Sequence, residues 1–352
     1  MPANISINNG RAEMFYAGAT PWHGLGTGLT GLATSAEAIE AAGLNWKVEK
    51  RPLFYSSVAE AEGRTISTAT NRASNLFATV RADNNRMLGV VSEDFHILQN
   101  REAFSWFDAI VGEKATMYET AGALRGGARI FILANLNGVV RVIGDDVIKK
   151  YVCLAHGHDG SLAVWILRTG IRVVCQNTLT QALNEARGRL SRAEGGAIRF
   201  LHFANLGTRL DEVRNALGII NVQFEVMAEA ARKLAAVQLT QDAVSNYFKS
   251  VVVPPADLAE VAAGKRKFGP RTVSLLEDLD RLFVEGKGSE LPGVHGTAWG
   301  AFNSVVESVD FRRKSASGPN TTEAEFRTDD ILFGTGSNIK QKAWDRALAL
   351  VA

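Results

Sequence analysis

Cysteine and proline are scarce in this chain of 352 residues, which contains two cysteines and eight prolines. Two cysteines exclude a scaffold held together by disulfides, and 46% hydrophobic residues exclude a disordered or collagen-like chain. No apolar run reaches about 18 residues, so no membrane span and no membrane partner are expected. The first ten residues lack a basic and an apolar leader segment. These absences predict a soluble, cytoplasmic protein.

The net charge of +2 is small, but the charges are unevenly distributed. Residues 1–124 carry 10 basic and 13 acidic groups, which sum to −3. Residues 125–214 carry 13 and 7, a sum of +6, and residues 215–352 carry 16 and 17, a sum of −1. The local excess of cations in the middle indicates an anionic partner for that part of the chain.

Hydrophobic periodicity predicts an α+β fold, with an antiparallel β-meander body and packed helices followed by a mainly helical C-terminal region. We predict an irregular glycine-rich arm with a short helix over 1–44, a sheet domain over 45–206 and the helical region over 207–352. Period-2 or β-rich runs predict strands at 46–55, 76–81, 87–91, 127–136, 139–143, 149–155, 162–168 and 171–175. Helical spacing predicts helices at 36–42, 100–111, 178–190, 210–217, 222–237, 242–253, 268–283, 298–309 and 339–351.

One glycine pattern has the spacing of a dinucleotide-binding motif. Gly26, Gly28 and Gly31 match G-x-G-x-x-G, which requires a strand directly before the glycines and a helix directly after them. Here Pro21 and Trp22 precede the glycines, and no hydrophobic strand leads into them. We therefore interpret the segment as a flexible entry arm and expect no cofactor.

Candidate metal ligands and catalytic carboxylates are present without a diagnostic spacing. Cysteine pairs of the C-x-x-C type and G-x-S-x-G or Walker A sequences do not occur, so we assign neither a metal site nor a catalytic residue. The side chains that could serve such chemistry are Glu119, Asp145, Asp146, Cys153, His156, His158, Asp159, Cys175 and His202. A metal-dependent nuclease or nucleotide-processing enzyme remains an alternative, centred on the carboxylates and His156.

Arginine and lysine on the predicted sheet and its following helix are the stronger signal. The planar guanidinium group binds phosphate oxygens in pairs and stacks on bases, and cationic grooves with aromatic residues bind single strands. A second basic cluster, which contains a phenylalanine able to stack, follows near residue 265. The predicted nucleic-acid-binding residues are Arg129, Arg141, Lys149, Lys150, Arg168, Arg172, Arg187, Arg189, Arg192, Arg199, Lys265, Arg266, Lys267, Phe268 and Arg271.

Several longer stretches resemble a known family. They are Thr20–Gly26, Val91–Phe104, Ile171–Leu179, Gly296–Asn303 and Ile331–Gly336. In order and spacing they resemble the phage/plasmid-like proteins built on domain of unknown function 932. The resemblance implies a role in DNA replication, DNA recombination or defence in phages, prophages or plasmids. It implies no catalytic residue.

The leading hypothesis is therefore a mobile-element protein that binds and anneals single-stranded DNA in recombination or replication, and that forms a homo-oligomer. Fold-level analogy with phage annealing proteins supports this hypothesis. Two alternatives are the enzyme described above and an interaction protein that binds a host factor or inhibits host defence.

Overall fold

The computed structural model of the chain describes residues 5–18, 25–61, 64–111, 118–172, 178–180, 197–200, 210–313, 330 and 334–351. The chain divides into two compact units. Unit 1 consists of 1–134, 153–166 and 199–214, and unit 2 of 135–152, 167–198 and 215–352. Each unit is assembled from segments that are distant in sequence.

The described strands form antiparallel sheets with one parallel pair. The larger sheet has the strand order β12-β11-β10-β9-β8-β3-β4, with β13 paired to β11 and with β3 and β4 parallel. A second sheet has the order β5-β6-β7, and β1 pairs with β2. The strands are β1 Ile7–Asn8, β2 Arg11–Ala12, β3 Met14–Ala17, β4 Thr27–Leu29, β5 Val48–Ala61, β6 Arg64–Arg81, β7 Met87–Ser92, β8 Tyr118–Leu124, β9 Arg129–Ile143, β10 Asp146–Gly157, β11 Val164–Arg172, β12 Thr178–Thr180 and β13 Ala197–Phe200.

Most of the described helices lie in the C-terminal half, which confirms the α+β prediction. α7 continues into a π-helical turn, Ser308–Arg312. No described helix is long and apolar enough to cross a membrane. The helices are α1 Ser35–Ala41, α2 Asn100–Val111, α3 Leu210–Ala236, α4 Gln241–Val252, α5 Pro255–Ala262, α6 Pro270–Glu285, α7 Ala298–Glu307 and α8 Thr335–Leu348.

A buried arginine on β6 joins three parts of unit 1. The Arg81 guanidinium group donates to both carboxylate oxygens of Glu13, at 2.8 and 2.7 Å, and to Asp83 at 3.0 and 2.7 Å. It lies 3.9 Å from the centre of the Trp46 ring. Only 1% of the Arg81 side chain and 4% of the Glu13 side chain are exposed. The bidentate geometry compensates for much of the cost of removing both charges from water.

The core of unit 2 surrounds α7, which is buried along its whole length. The indole nitrogen of Trp299 donates to the buried Asp146 carboxylate at 2.7 Å. Beyond α7, the Lys340 ammonium group donates to Asp310 at 2.9 Å, and both side chains are almost fully buried. Polar groups in this core are thus held in specific pairs.

The structure corrects several predicted boundaries. The predicted strands are interrupted at Asn137–Gly138 and Thr169–Gly170, residues that favour turns. In the structure these residues lie inside β9 and β11, because pairing with neighbouring strands overrides local turn preference. Asn137 keeps a positive φ of 49° there, which asparagine tolerates better than most residues. The helix predicted from Thr178 is wrong at its start, since Thr178–Thr180 pairs with β11 as β12.

Other corrections concern the helices. α1 begins at Ser35, one residue before the predicted start at 36, with Thr34 as its N-cap and Glu37 completing a capping box. The two helices predicted across Leu210–Val237 form the single helix α3. α5 was not predicted, although Pro255 at its first position is typical of a helix start.

We predict that Arg81→Met strongly destabilises unit 1, because it leaves the Glu13 carboxylate buried without its counter-ion. The expected loss is about 3–5 kcal/mol in the free energy of unfolding, measured by urea denaturation. Arg51 is the matched control, because its ion pair with Glu49 is exposed. Arg51→Met should cost less than about 1 kcal/mol, and equal losses in the two variants would contradict the role given to Arg81.

A second prediction concerns the stability of the fold at acidic pH. Burial raises the pKa of Asp83, but hydrogen bonds and the charge of Arg81 outweigh burial and hold that pKa below its ordinary value of 3.8. A carboxyl with a lower pKa in the folded state stabilises the fold above its unfolded pKa, and this stabilisation disappears as the pH falls through the folded pKa.

Asp83→Asn should therefore unfold at lower urea concentration than the wild type at neutral pH, and the difference should shrink as the pH falls below about 4. Asp145→Asn, at an exposed position, serves as the control. A difference between Asp83→Asn and wild type that stays constant down to strongly acidic pH would refute the linkage.

Candidate nucleic-acid interface

The hairpin formed by β9 and β10 carries exposed basic side chains of unit 2. In the β9 segment Val140 and Val142 are buried, and in the β10 segment Asp146 and Ile148 are buried. Because side chains alternate across a strand, the residues between these positions lie on the opposite, open face. The exposed residues of that face include Val139, Arg141, Ile143 and Lys149.

Arginine 232 joins this face from helix α3. Its Nε donates to the backbone oxygen of Arg141 at 3.1 Å, and the Arg141 guanidinium group donates to the backbone oxygen of Gly144. Both side chains are exposed. Two backbone carbonyl groups that are three residues apart, those of Arg141 and Gly144, thus hold the two guanidinium groups. We call Arg141, Lys149 and Arg232 the cation cluster.

Charge within the cation cluster is not neutralised by the described part of the chain. Neither Arg141 nor Arg232 forms an ion pair with a described carboxylate, and the same holds for Lys149. The neighbouring Lys150 differs, since its ammonium group lies 2.9 Å from the Glu225 carboxylate. The cluster therefore presents positive charge to solvent, whereas Lys150 is compensated.

Arg168 contributes to packing within unit 2. It is buried on β11, its guanidinium group lies 5.4 Å from the centre of the Phe224 ring, and it points at the sulfur of Met227. Phe224 and Met227 lie on α3, so this contact joins the helix to the strand. Arg168 therefore differs from Arg141, whose side chain is exposed, and the interface proposed below does not include it.

The second predicted cluster lies between α5 and α6. Lys265, Lys267 and Arg271 are exposed, and Phe268 is half-buried. Arg266 instead forms ion pairs with two acidic side chains of α5, at 3.3 and 3.2 Å. This segment offers three further exposed cations, and the charge of Arg266 is compensated.

The remaining predicted residues are spread over other parts of the chain. In unit 1, Arg129 donates to Ser161 Oγ at 3.2 Å, and Arg199 is exposed and lies 5.9 Å from the centre of the Trp165 ring. Arg172 lies on β11, and nothing is described of its side chain. The predicted residues Arg187, Arg189 and Arg192 lie outside the described residues.

Arg232 was not predicted, because residues 215–352 carry 16 basic and 17 acidic groups and show no net excess of cations. Helical periodicity could have found it. Ala228, Ala231, Leu234 and Ala235 are buried on α3, so position 232 lies on the opposite, exposed side of the helix.

The glycine pattern near residue 26 is part of a strand. Thr27–Leu29 forms β4, which pairs with β3, and Ser35 begins the next helix. The Tyr16 ring lies so close to Gly28 that a Cβ there would be 3.0 to 3.2 Å from it. The backbone beside Gly28 is thus covered by a side chain of the protein itself.

Three of the candidate metal ligands, Cys153, His156 and His158, are buried. His156 and His158 are buried with ring centres 4.8 Å apart, and His158 Nε2 lies 2.9 Å from Asn100 Oδ1. Among the described residues, no three His, Cys, Asp or Glu side chains are placed to hold a metal ion. Cys175 and His202 lie outside the described residues.

Two of the carboxylates considered for catalysis accept hydrogen bonds within their own units. Asp146 accepts the hydrogen bond of Trp299, and Asp159 accepts hydrogen bonds from the backbone and hydroxyl of Ser161. Glu119 is half-buried on β8, and Asp145 is exposed. The enzyme alternative stays a prediction.

Comparison with known proteins identifies the family. The model of the family described as Domain of unknown function (DUF932) matches residues 87–344, well over half of the chain. The chain belongs to this family, as its sequence stretches indicated. No curated protein and no solved structure matches the chain.

Burial also predicts the reactivity of Cys153. Burial raises the pKa of the Cys153 thiol to about 12, more than a backbone hydrogen bond with Ile132 lowers it. Because the thiolate is the reactive form, Cys153 should resist Ellman's reagent in the folded protein at pH about 8 and react only on unfolding. A Cys175→Ser variant leaves Cys153 as the single reporter, and rapid reaction of the folded variant would contradict the prediction.

Proposed function

We propose that this protein binds single-stranded DNA through the cation cluster of unit 2. The observation that carries the proposal is the exposed pair Arg141 and Arg232, held close together without a described carboxylate partner. Two like charges repel, and an anion between them removes that repulsion. Guanidinium groups bind phosphate oxygens in pairs, so a phosphate group suits this pair.

The apolar neighbours of the cluster favour a single strand. Val139 and Ile143 are exposed on either side of Arg141 along β9. A face on which apolar and cationic side chains alternate can contact bases and phosphates together, as a single strand requires. A duplex buries its base faces and offers chiefly phosphates and groove edges.

The proposed role is strand annealing in the recombination or replication of mobile DNA. The resemblance of the sequence to phage/plasmid-like proteins supports this role, and the exposed cations supply the sequence-independent affinity that annealing needs. Lys265, Lys267 and Arg271 would extend the contact with the DNA backbone.

The direct test is fluorescence anisotropy with a labelled oligo-dT strand and a matched duplex at two salt concentrations. We expect tighter binding to the single strand, and we expect the affinity to fall steeply with salt, because bound phosphates release counterions. Absence of single-strand binding at about 50 mM salt would disprove the proposal.

The variant pair sharpens this test. Arg141→Ala with Arg232→Ala should weaken binding about tenfold and lower the slope of log affinity against log salt by about 1.4, since each single-strand phosphate contributes about 0.7. Arg51→Ala with Arg266→Ala is the matched control, because both arginines are exposed but ion-paired. Equal losses in both double variants would show that only total charge matters.

A further inference from the structure

The longest hairpin of unit 1 extends beyond its sheet as a two-stranded ribbon. Eight residue pairs, from Phe54 opposite Arg72 to Ala61 opposite Arg64, join β5 to β6 in this part. β7 pairs only with Leu76–Val80 of β6. We call residues 54–61 and 64–72 the arm, and at about 3.4 Å per residue it is about 27 Å long.

The base of the arm is held firmly, whereas the arm is open to solvent. Ala78, Val80 and Arg81 of β6 are buried at the base. On the arm, Phe54 is 57% exposed, Tyr55 58% and Val58 64%. Two-stranded ribbons are only marginally stable alone in water, and here three large exposed apolar side chains fall within five residues of one strand. Exposed apolar surface of this kind is typical of protein interfaces.

The charge of the arm points to the kind of partner. Together with the two residues that join its strands, the arm spans 54–72, in which Glu60, Glu62, Arg64 and Arg72 sum to zero. A neutral surface gives little attraction to a polyanion. It does suit contact with an identical copy, because a two-fold axis places each patch against itself and a net charge would then repel its own image.

The backbone of β5 provides the means of contact. β5 is the edge strand of the sheet β5-β6-β7, so no described strand covers its outer edge. Pro52 lacks an N–H group and interrupts that edge at the base of the arm. Residues 54–61 contain no proline, so each of them keeps the backbone N–H group that strand pairing requires.

We propose that the arm binds the arm of a second copy of this chain, with the two β5 edges pairing antiparallel around a two-fold axis. The contact joins two neutral ribbons and covers exposed apolar side chains such as Tyr55 and Val58. An edge of eight residues is small for a protein interface, so the dimer forms at micromolar concentration and dissociates on dilution.

Sedimentation velocity of nuclease-treated protein tests this directly, from about 1 to 100 µM, which spans micromolar dissociation constants. The wild type should shift from monomer to dimer across the series. The double variant Tyr55→Lys with Val58→Lys should remain monomeric, because like charges then meet across the axis. The matched control is Val222→Lys with Val226→Lys on α3, because Val222 is 63% exposed and Val226 is 60% exposed. This control variant should dimerise like the wild type.

A mixing experiment separates a specific contact from a folding defect. A second variant, Tyr55→Glu with Val58→Glu, should also be monomeric alone but should form heterodimers when mixed with the lysine variant. Circular dichroism should give all variants the spectrum of the wild type.

Three results would overturn the proposal: a wild type that stays monomeric, a lysine variant that still dimerises, or a mixture that stays monomeric. Association that occurs only after single-stranded DNA is added counts as the first of these results, because the DNA and not the arm would then join two copies. The sedimentation experiment is carried out without DNA. If the protein does not dimerise in it, the proposed DNA binding is not affected.

Discussion

The buried ion pair between Arg81 and Glu13 is the constraint on which much of unit 1 depends. The guanidinium group is almost fully removed from water, so each of its N–H groups needs an acceptor, and Glu13, Asp83 and Gly126 provide them. These acceptors lie next to β3, after β6 and before β9. The pair therefore joins several segments at once, at the end of β6 that is opposite to the arm.

The same residue type has three different physical roles in this protein. Arg81 and Arg168 are interior groups with aromatic neighbours, at 3.9 Å from Trp46 and 5.4 Å from Phe224. Arg266 is exposed but compensated by acidic side chains. Arg141 and Arg232 are exposed and uncompensated within the described residues. Of these three environments, only that of Arg141 and Arg232 leaves positive charge that a partner could bind. The number of arginines in the sequence is therefore larger than the number that can contribute to a binding surface.

Unit 2 shows that buried polar groups organise its helical core. Asp146 accepts from Trp299 of α7, and Lys340 of α8 donates to Asp310 in the turn that follows α7. A buried charge without a partner is costly, so each pair favours one arrangement of its elements over its competitors. Trp299 lies in one of the sequence stretches that resemble the family, and its contact gives that stretch a packing role.

The sequence by itself determined the fold class and many elements. The 100–111 pattern predicted α2 with its observed ends, because Phe104 and Phe107 face the core at helical spacing. Most strands and C-terminal helices were likewise predicted from periodicity, and the quoted stretches led to the family. The candidate site was predicted only in part, as a list of cations that included Arg141 and Lys149.

Tertiary structure decided what local pattern could not. Strand pairing carried β9 and β11 through Asn137 and Gly170, where local preference favoured turns. Arg168 is buried, whereas Arg141 is exposed. Arg232, which lies 91 residues after Arg141 in the sequence, contacts the Arg141 backbone from helix α3. The local sequence determines which conformations of each segment have a low free energy. Which charges meet a partner and which face water depends on contacts between segments far apart in sequence, and those contacts exist only once the chain has folded.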